Sequence, residues 1–113
     1  MKEDRKWITI LTELKMDNVQ LKDWLSKAIS GQVSSDFVEK AELFQQQFIE
    51  KDLVIDLLRR DIVVLREETS VNEMTDEDKA QYKMLEKAVK QLQVEFQKMK
   101  LSFIAFLNRS EFS

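Results

Sequence analysis

Hydrophobic side chains recur every three or four residues along most of the chain, and this spacing predicts three long helices. We place helix 1 at about residues 3–30, helix 2 at about 36–68 and helix 3 at about 76–109. The connections are short, and short connections make consecutive helices antiparallel neighbours. The sequence therefore predicts a single all-α domain over residues 1–113, an antiparallel up-down-up three-helix bundle with coiled-coil-like heptad packing.

Helices 1 and 3 each carry one stripe whose members are alternately four and three residues apart, the spacing of a heptad repeat. In helix 1 the stripe consists of Trp7, Leu11, Leu14, Asn18, Leu21, Leu25 and Ala28. In helix 3 it consists of Tyr82, Leu85, Val89, Leu92, Phe96, Met99, Phe103 and Phe106. We expect both stripes to face one shared core.

Helix 2 differs because its segment 49–65 is apolar on two opposite sides. At about 100° per residue, one stripe runs along the helix through Phe37, Ala41, Phe44, Phe48, Ile55, Leu58, Ile62 and Leu65. A second set lies on nearly the opposite side and consists of Ile49, Leu53, Leu57 and Val64. A helix with two apolar sides must either lie between its own neighbours or contact another chain. We predict that the second set is a partner interface.

The first connection carries several residues typical of helix ends. Gly31 suits the left-handed conformation just past helix 1. Asp36 and Glu39 have the spacing of a capping box at the start of helix 2. Ser34 and Ser35 are alternative caps for the same helix.

At the other end of helix 2, residues 69–74 have no apolar period and are predicted to form the second connection. Thr75 is the predicted cap of helix 3, and the three acids that follow it suit the positive end of the helix dipole. Folding the chain at the first connection places Trp7 near the level of Arg59. Helix 1 would then end before helix 2, and we expect residues 62–65 to lack a third partner.

A polar layer is predicted inside the bundle. Asn18 occupies a heptad position, Lys51 lies on the core stripe of helix 2, and Glu95 lies within a turn of both in the antiparallel register. One interpretation is a ligand or ion site. The other is a layer that sets the register of the helices, with Lys51 pairing with Glu95 or extending to solvent.

The absence of cysteine and histidine from all 113 residues argues against catalysis. It removes thiolate nucleophiles and zinc ligands as well as the commonest general base. Asp52 and Asp56 are four residues apart, but helical di-iron sites also need Glu-x-x-His motifs. Arg59 and Arg60 could pair with these carboxylates along the helix surface. We therefore expect no enzyme activity, no catalytic residues, no cofactor and no metal.

The net charge of −3 argues against nucleic acid as the main partner. Residues 34–75 contain ten acids and five bases, whereas residues 79–100 contain six lysines and two glutamates. An acidic helix 2 beside a basic helix 3 would suit an intramolecular pair. The alternative is that both are solvated faces that happen to be complementary.

No apolar run approaches the roughly 20 residues of a membrane span, and the charged start MKEDRKW does not have the pattern of a signal peptide. We expect a cytoplasmic protein. The apolar segment 101–107 is either an interfacial anchor or the closing layer of the core, and its few nearby bases make membrane attachment the weaker interpretation.

These patterns predict a non-catalytic interaction or assembly protein that self-associates or docks on a helical partner through helix 2. This expectation depends on whether helices 1 and 3 cover the second set or leave it exposed. The alternative is a ligand-binding or membrane-surface regulator that uses the apolar end around Phe103 and Phe106.

Overall fold

The structure, a computed structural model, describes residues 2–31, 33–71 and 73–111, with side chains over 5–31, 33–70 and 73–109. This part of the chain contains three helices: α1 (Lys2–Ile29), α2 (Ser35–Val71) and α3 (Asp76–Glu111). Each helix packs against both others, in a rod of 59 × 19 × 19 Å. At about 1.5 Å per residue, the rod is one helix long, so the helices run up, down and up. The predicted all-α three-helix bundle is confirmed.

Serine and threonine hydroxyls cap the starts of α2 and α3. The backbone N–H of Phe37 donates to Ser34 Oγ at 3.1 Å, so Ser34 is the cap and the predicted Asp36–Glu39 capping box is wrong. Asp78 N–H donates to Thr75 Oγ1 at 3.1 Å, and Thr75 N–H donates to Asp78 Oδ2 at 3.0 Å. This reciprocal pair satisfies two backbone donors and confirms Thr75 as the cap of α3.

The ends of α1 and α2 differ from the predicted ones. Gly31 does not have a positive φ, so it does not adopt the predicted left-handed conformation. Helix α1 ends at Ile29, and the Ser30 hydroxyl that follows donates to the Lys27 carbonyl at 2.7 Å. Helix α2 runs to Val71 rather than to Glu68. The helix therefore continues for one more turn than the regular apolar period predicts, and in this turn the Thr69 hydroxyl donates to the Leu65 carbonyl at 2.9 Å.

The core consists of two clusters along the rod, and the three predicted stripes supply both. One buried cluster contains Trp7, Leu11, Ile55, Leu58, Ile62, Leu65, Leu85, Val89 and Leu92. The other contains Leu21, Leu25, Ala41, Phe48, Phe96, Met99 and Phe103. Half-buried Leu14 packs against both. The core is therefore continuous from one end of the rod to the other.

The expectation that residues 62–65 lack a third partner is wrong for Ile62 and Leu65, which are buried in the same cluster as Trp7. Their third partner is Trp7 of α1, which is buried in the same cluster and lies 4.5 Å from Tyr82 of α3 between ring centroids. The register of α1 on α2 is the predicted one at Asn18, whose amide bonds to the Phe48 carbonyl. The large Trp7 side chain therefore closes this end of the core.

Candidate interaction surface

The second apolar set of α2 lies on the outside of the bundle, where we call it the outer α2 face: Ile49, Leu53, Leu57 and Val64. These side chains are 43%, 66%, 47% and 43% exposed, respectively. Ile55 and Leu58, on the opposite side, are buried in the core. Neither α1 nor α3 covers the outer α2 face in the single chain.

Charged residues continue this face in both directions at the same heptad spacing. Glu50 lies three residues before Leu53, and Arg60 lies three residues after Leu57. Both side chains are exposed, and Arg60 makes a long contact of 3.8 Å from Nε to Asp61 Oδ1. The face therefore has an apolar centre, an acid towards its N-terminal end and a base towards its C-terminal end.

Exposed valines border the apolar centre. Val54 lies on the edge nearer α3 and Val63 on the edge nearer α1, and they are exposed to about the same degree as Val64. With the outer α2 face they form an apolar surface along about four turns of α2, interrupted by Arg60 between Leu57 and Val64. Large exposed apolar patches are typical of contact surfaces.

Asn18 is completely buried, as predicted, but its partners differ from the predicted ones. Its Nδ2 donates to the Phe48 carbonyl and to Asp52 Oδ1, both at 2.8 Å. Both partners are acceptors, which fixes the orientation of the amide. Asn18 Oδ1 has no hydrogen-bond partner in the described part of the chain. Lys22 adds an ion pair to Asp52.

Lys51 and Glu95 form a separate contact between α2 and α3, at 3.4 Å from Nζ to Oε2. The Gln91 amide, which donates to Glu95 Oε1 at 3.1 Å, holds the pKa of Glu95 below its usual value, and Lys51 lowers the pKa further. The structure thus divides the predicted layer in two, and Asn18 bonds to neither Lys51 nor Glu95.

Asp52 and Asp56 pair with lysines of α1 rather than with Arg59 and Arg60 as predicted. Lys15 Nζ lies 3.8 Å from Asp52 Oδ1 and 2.9 Å from Asp56 Oδ2. Within the described ranges, no group of three or more carboxylates is arranged to hold a metal ion. These carboxylates fix α1 against α2.

The charge complementarity predicted between α2 and α3 is not the one the structure uses. The acids of α2 pair with α1, and the pair between α2 and α3 has the base, Lys51, on α2. A further ion pair links Lys100 of α3 to Asp17 of α1 at 3.5 Å. The contacts were missed because sequence alone does not give the rotation of each helix about its axis.

The apolar end of α3 belongs to the core. Phe103 is completely buried, and Phe106 is half-buried and stacked on Phe37 with ring centroids 4.8 Å apart. An open groove of about 650 Å³ runs beside this aromatic cluster, with Lys40 and Arg109 among its lining residues. Over the described residues, we find no helix with the length and apolar character needed to cross a bilayer.

The two tryptophans have different environments. Trp7 is buried, with its ring centroid 4.5 Å from that of Tyr82, whereas Trp24 is partly exposed on α1.

In comparisons with protein-family models, curated proteins and solved structures, no match to this chain was found.

Proposed function

We propose that this protein is a non-catalytic interaction or assembly module whose contact surface is the outer α2 face. The observation that carries the proposal is the exposure of Leu53 and Leu57 on a helix whose opposite side already fills the core. A helix needs only one apolar stripe to join a bundle, and α1 and α3 each have a single dominant one. The second stripe of α2 adds nothing to the fold of the single chain.

Burial against a partner would make use of this surface. Covering a leucine or isoleucine side chain fully contributes about 1.5–3 kcal/mol before the cost of association is subtracted. The patch follows the outer side of one helix, so its elongated form fits the apolar side of another helix better than a small molecule, which binds in a concave pocket. We place this function in the cytoplasm. Disulfides are rare in cytosolic proteins, and this sequence contains no cysteine.

Site-specific photo-crosslinking in the native host tests the proposal. A photoreactive amino acid replaces Leu57 in one variant and Met84, a more exposed apolar residue of α3, in the control. We expect a discrete protein adduct from position 57 and none from position 84. Adducts of equal yield at both positions, or none at position 57, would reject the outer α2 face as the contact surface.

The alternative of a ligand-binding or membrane-surface regulator at the end of α3 has weaker support. It would use Phe103 and Phe106, and the first of these is inside the core. Flotation with anionic vesicles tests this alternative directly. Recovery of the protein with the vesicles, lost on substitution of Phe106 but not of Leu57, would favour it over the interaction module.

A further inference from the structure

We infer that the partner of the outer α2 face is a second copy of this chain, bound antiparallel about a two-fold axis at the level of position 55. This inference rests on the proposed function and names the partner for the same surface. Its basis is the order of charged and apolar residues along the face. When a second copy of the face is laid alongside in the opposite direction, apolar residues meet apolar residues and the acid meets the base.

A two-fold interface requires each residue to meet its symmetry counterpart. Leu53 and Leu57 are equally distant from position 55, and so are Glu50 and Arg60. In an antiparallel pair about this position, Leu53 of one copy lies level with Leu57 of the other. Glu50 lies level with Arg60 of the second copy, so each leucine layer is followed by an ion pair of opposite charges.

The heptad spacing of these residues places all four on one seam. Positions 50, 53, 57 and 60 alternate three and four residues apart, which keeps a seam facing its partner along a coiled coil. The exposed Val54 lies close to the axis and would meet its own symmetry copy, while Ile49 would flank Val63 of the second copy. A parallel pair would instead place Glu50 beside Glu50 and Arg60 beside Arg60.

Two further features fit this arrangement. Position 55 is close to the middle of α2, which spans residues 35–71, so the two rods would overlap along almost their whole length. Asp56 also approaches its own copy near the axis, but Lys15 neutralises it at 2.9 Å within each subunit. The one like-charged contact of the seam is therefore already compensated by α1.

Charge reversal tests both the partner and the register. Glu50→Arg and Arg60→Glu, each made alone, turn two attractive contacts of the dimer into repulsive ones. We expect each to raise the dimer Kd by roughly tenfold or more, and the double reversal to restore it, because both contacts are then attractive again. The matched control reverses the charges of Asp23 and Lys27, an exposed ion pair on α1, and should leave the dimer Kd unchanged.

Crosslinking gives an independent measure of whether the two copies of α2 run antiparallel. The sequence has no cysteine, so introduced cysteines are the only sites of reaction. Differently tagged Leu53→Cys and Leu57→Cys variants are mixed and treated with a short bis-maleimide. Because random pairing of equal amounts already gives the mixed dimer in about twofold excess, the antiparallel arrangement predicts a product with both tags that exceeds each single-tag product by clearly more than twofold. A ratio of twofold or less, or failure of the double charge reversal to restore Kd, would overturn the inference.

The outcomes separate this inference from the proposed function. One outcome is a monomeric mass by light scattering together with a photo-adduct between position 57 and a different protein. That result would overturn the inference that the partner is a second copy, but it would retain the proposed interaction module. Absence of both dimer and adduct overturns the inference and the proposed function together.

Discussion

Asn18 shows how a single buried amide is shared between two helices. Its NH2 group makes two hydrogen bonds to α2, one of them to the carboxylate of Asp52, while its oxygen has no donor in the described structure. From sequence, we expect Asn18→Leu to raise the melting temperature, because a core amide that is imperfectly satisfied costs stability. The bond to Asp52 changes that expectation, since hydrogen bonds to charged groups contribute about 1.5–3 kcal/mol.

Asn18→Leu should therefore lower the free energy of unfolding by about 1–2 kcal/mol in the natural background. In an Asp52→Ala background the same substitution should be neutral or stabilising, because the charged acceptor is gone. The double-mutant cycle, measured by urea unfolding at one protein concentration, isolates the coupling between the two side chains. A higher stability of Asn18→Leu in the natural background would mean that apolar burial outweighs the amide bonds.

Glu95 gives a second prediction at the scale of one residue. Its pKa is below the usual 4.5 in the folded chain, so its contribution to stability is present above the pKa of the unfolded state and is lost as pH falls through the folded value. We expect Lys51→Met to raise the pKa of Glu95 by removing one of its hydrogen-bond donors. Titration of the Glu95 carboxyl group by NMR measures this pKa in the natural chain and in the variant.

Lys98→Met is the matched control, because Lys98 acts on Glu95 through its charge alone and is the last of the causes that lower this pKa. It should raise the pKa of Glu95 less than Lys51→Met does. An unchanged pKa in Lys51→Met would show that the 3.4 Å contact is not maintained in solution.

At the scale of elements, α2 is unlike its neighbours because both its sides are apolar. The inner stripe is buried against α1 and α3, whereas the outer α2 face stays 43–66% exposed, with only Ile49 at its edge beside α1. The two sides should therefore respond in opposite ways to charged substitutions, and this difference can be measured on the same helix.

Leu53→Lys with Leu57→Lys should leave helicity and melting temperature largely intact while abolishing association, because in the antiparallel pair a lysine of one copy then faces a lysine of the other. The same changes at Ile55 and Leu58 should unfold the protein, because they bury unpaired charge. Circular dichroism and light scattering on both double variants give the comparison. If the Leu53/Leu57 variant melts as badly as the Ile55/Leu58 variant, the outer α2 face is part of the fold and not a contact surface.

The elements were predictable from sequence to the extent that they depend on periodicity. The heptad from Leu85 to Phe103 gives α3 and its buried side, and the two stripes of α2 separate into core and surface as expected. The end of α2 and the cap at Ser34 were not predictable from periodicity, because α2 continues through polar residues to Val71 and the cap depends on one hydrogen bond to the Ser34 hydroxyl.

Contacts between helices were predictable only in part. The heptad placed Asn18 in the core, but its partner Asp52 depends on how α1 slides and rotates on α2. The bond from the Asn18 amide to the Phe48 carbonyl lies at the predicted register, whereas the pairing of Lys15 with Asp56 depends on the rotation of both helices and on the length of the lysine side chain. The polar residues of the outer α2 face, Glu50 and Arg60, become informative only once Leu53 and Leu57 are known to be exposed together.

At the scale of the whole molecule, the chain is a thin rod. Its radius of gyration is 17.8 Å, whereas a compact domain of this length has about 13 Å. A rod has a large side surface for its volume, and each level of its core is closed by only three helices. Pairing along the side would add a second apolar layer over much of α2, which end-to-end contact would not.

The last prediction concerns the assembled state: the protein is not a monomer at micromolar concentration. Its melting temperature should rise with protein concentration, because association stabilises the folded state by mass action. Pairing about position 55 offsets the two rods by only about 6 Å, given 1.5 Å per residue. Small-angle scattering should then show a dimer about as long as one 59 Å rod and nearly twice as thick. A monomeric mass at 100 μM with a melt independent of concentration would contradict the prediction, and a dimer of doubled length would point to end-to-end association instead.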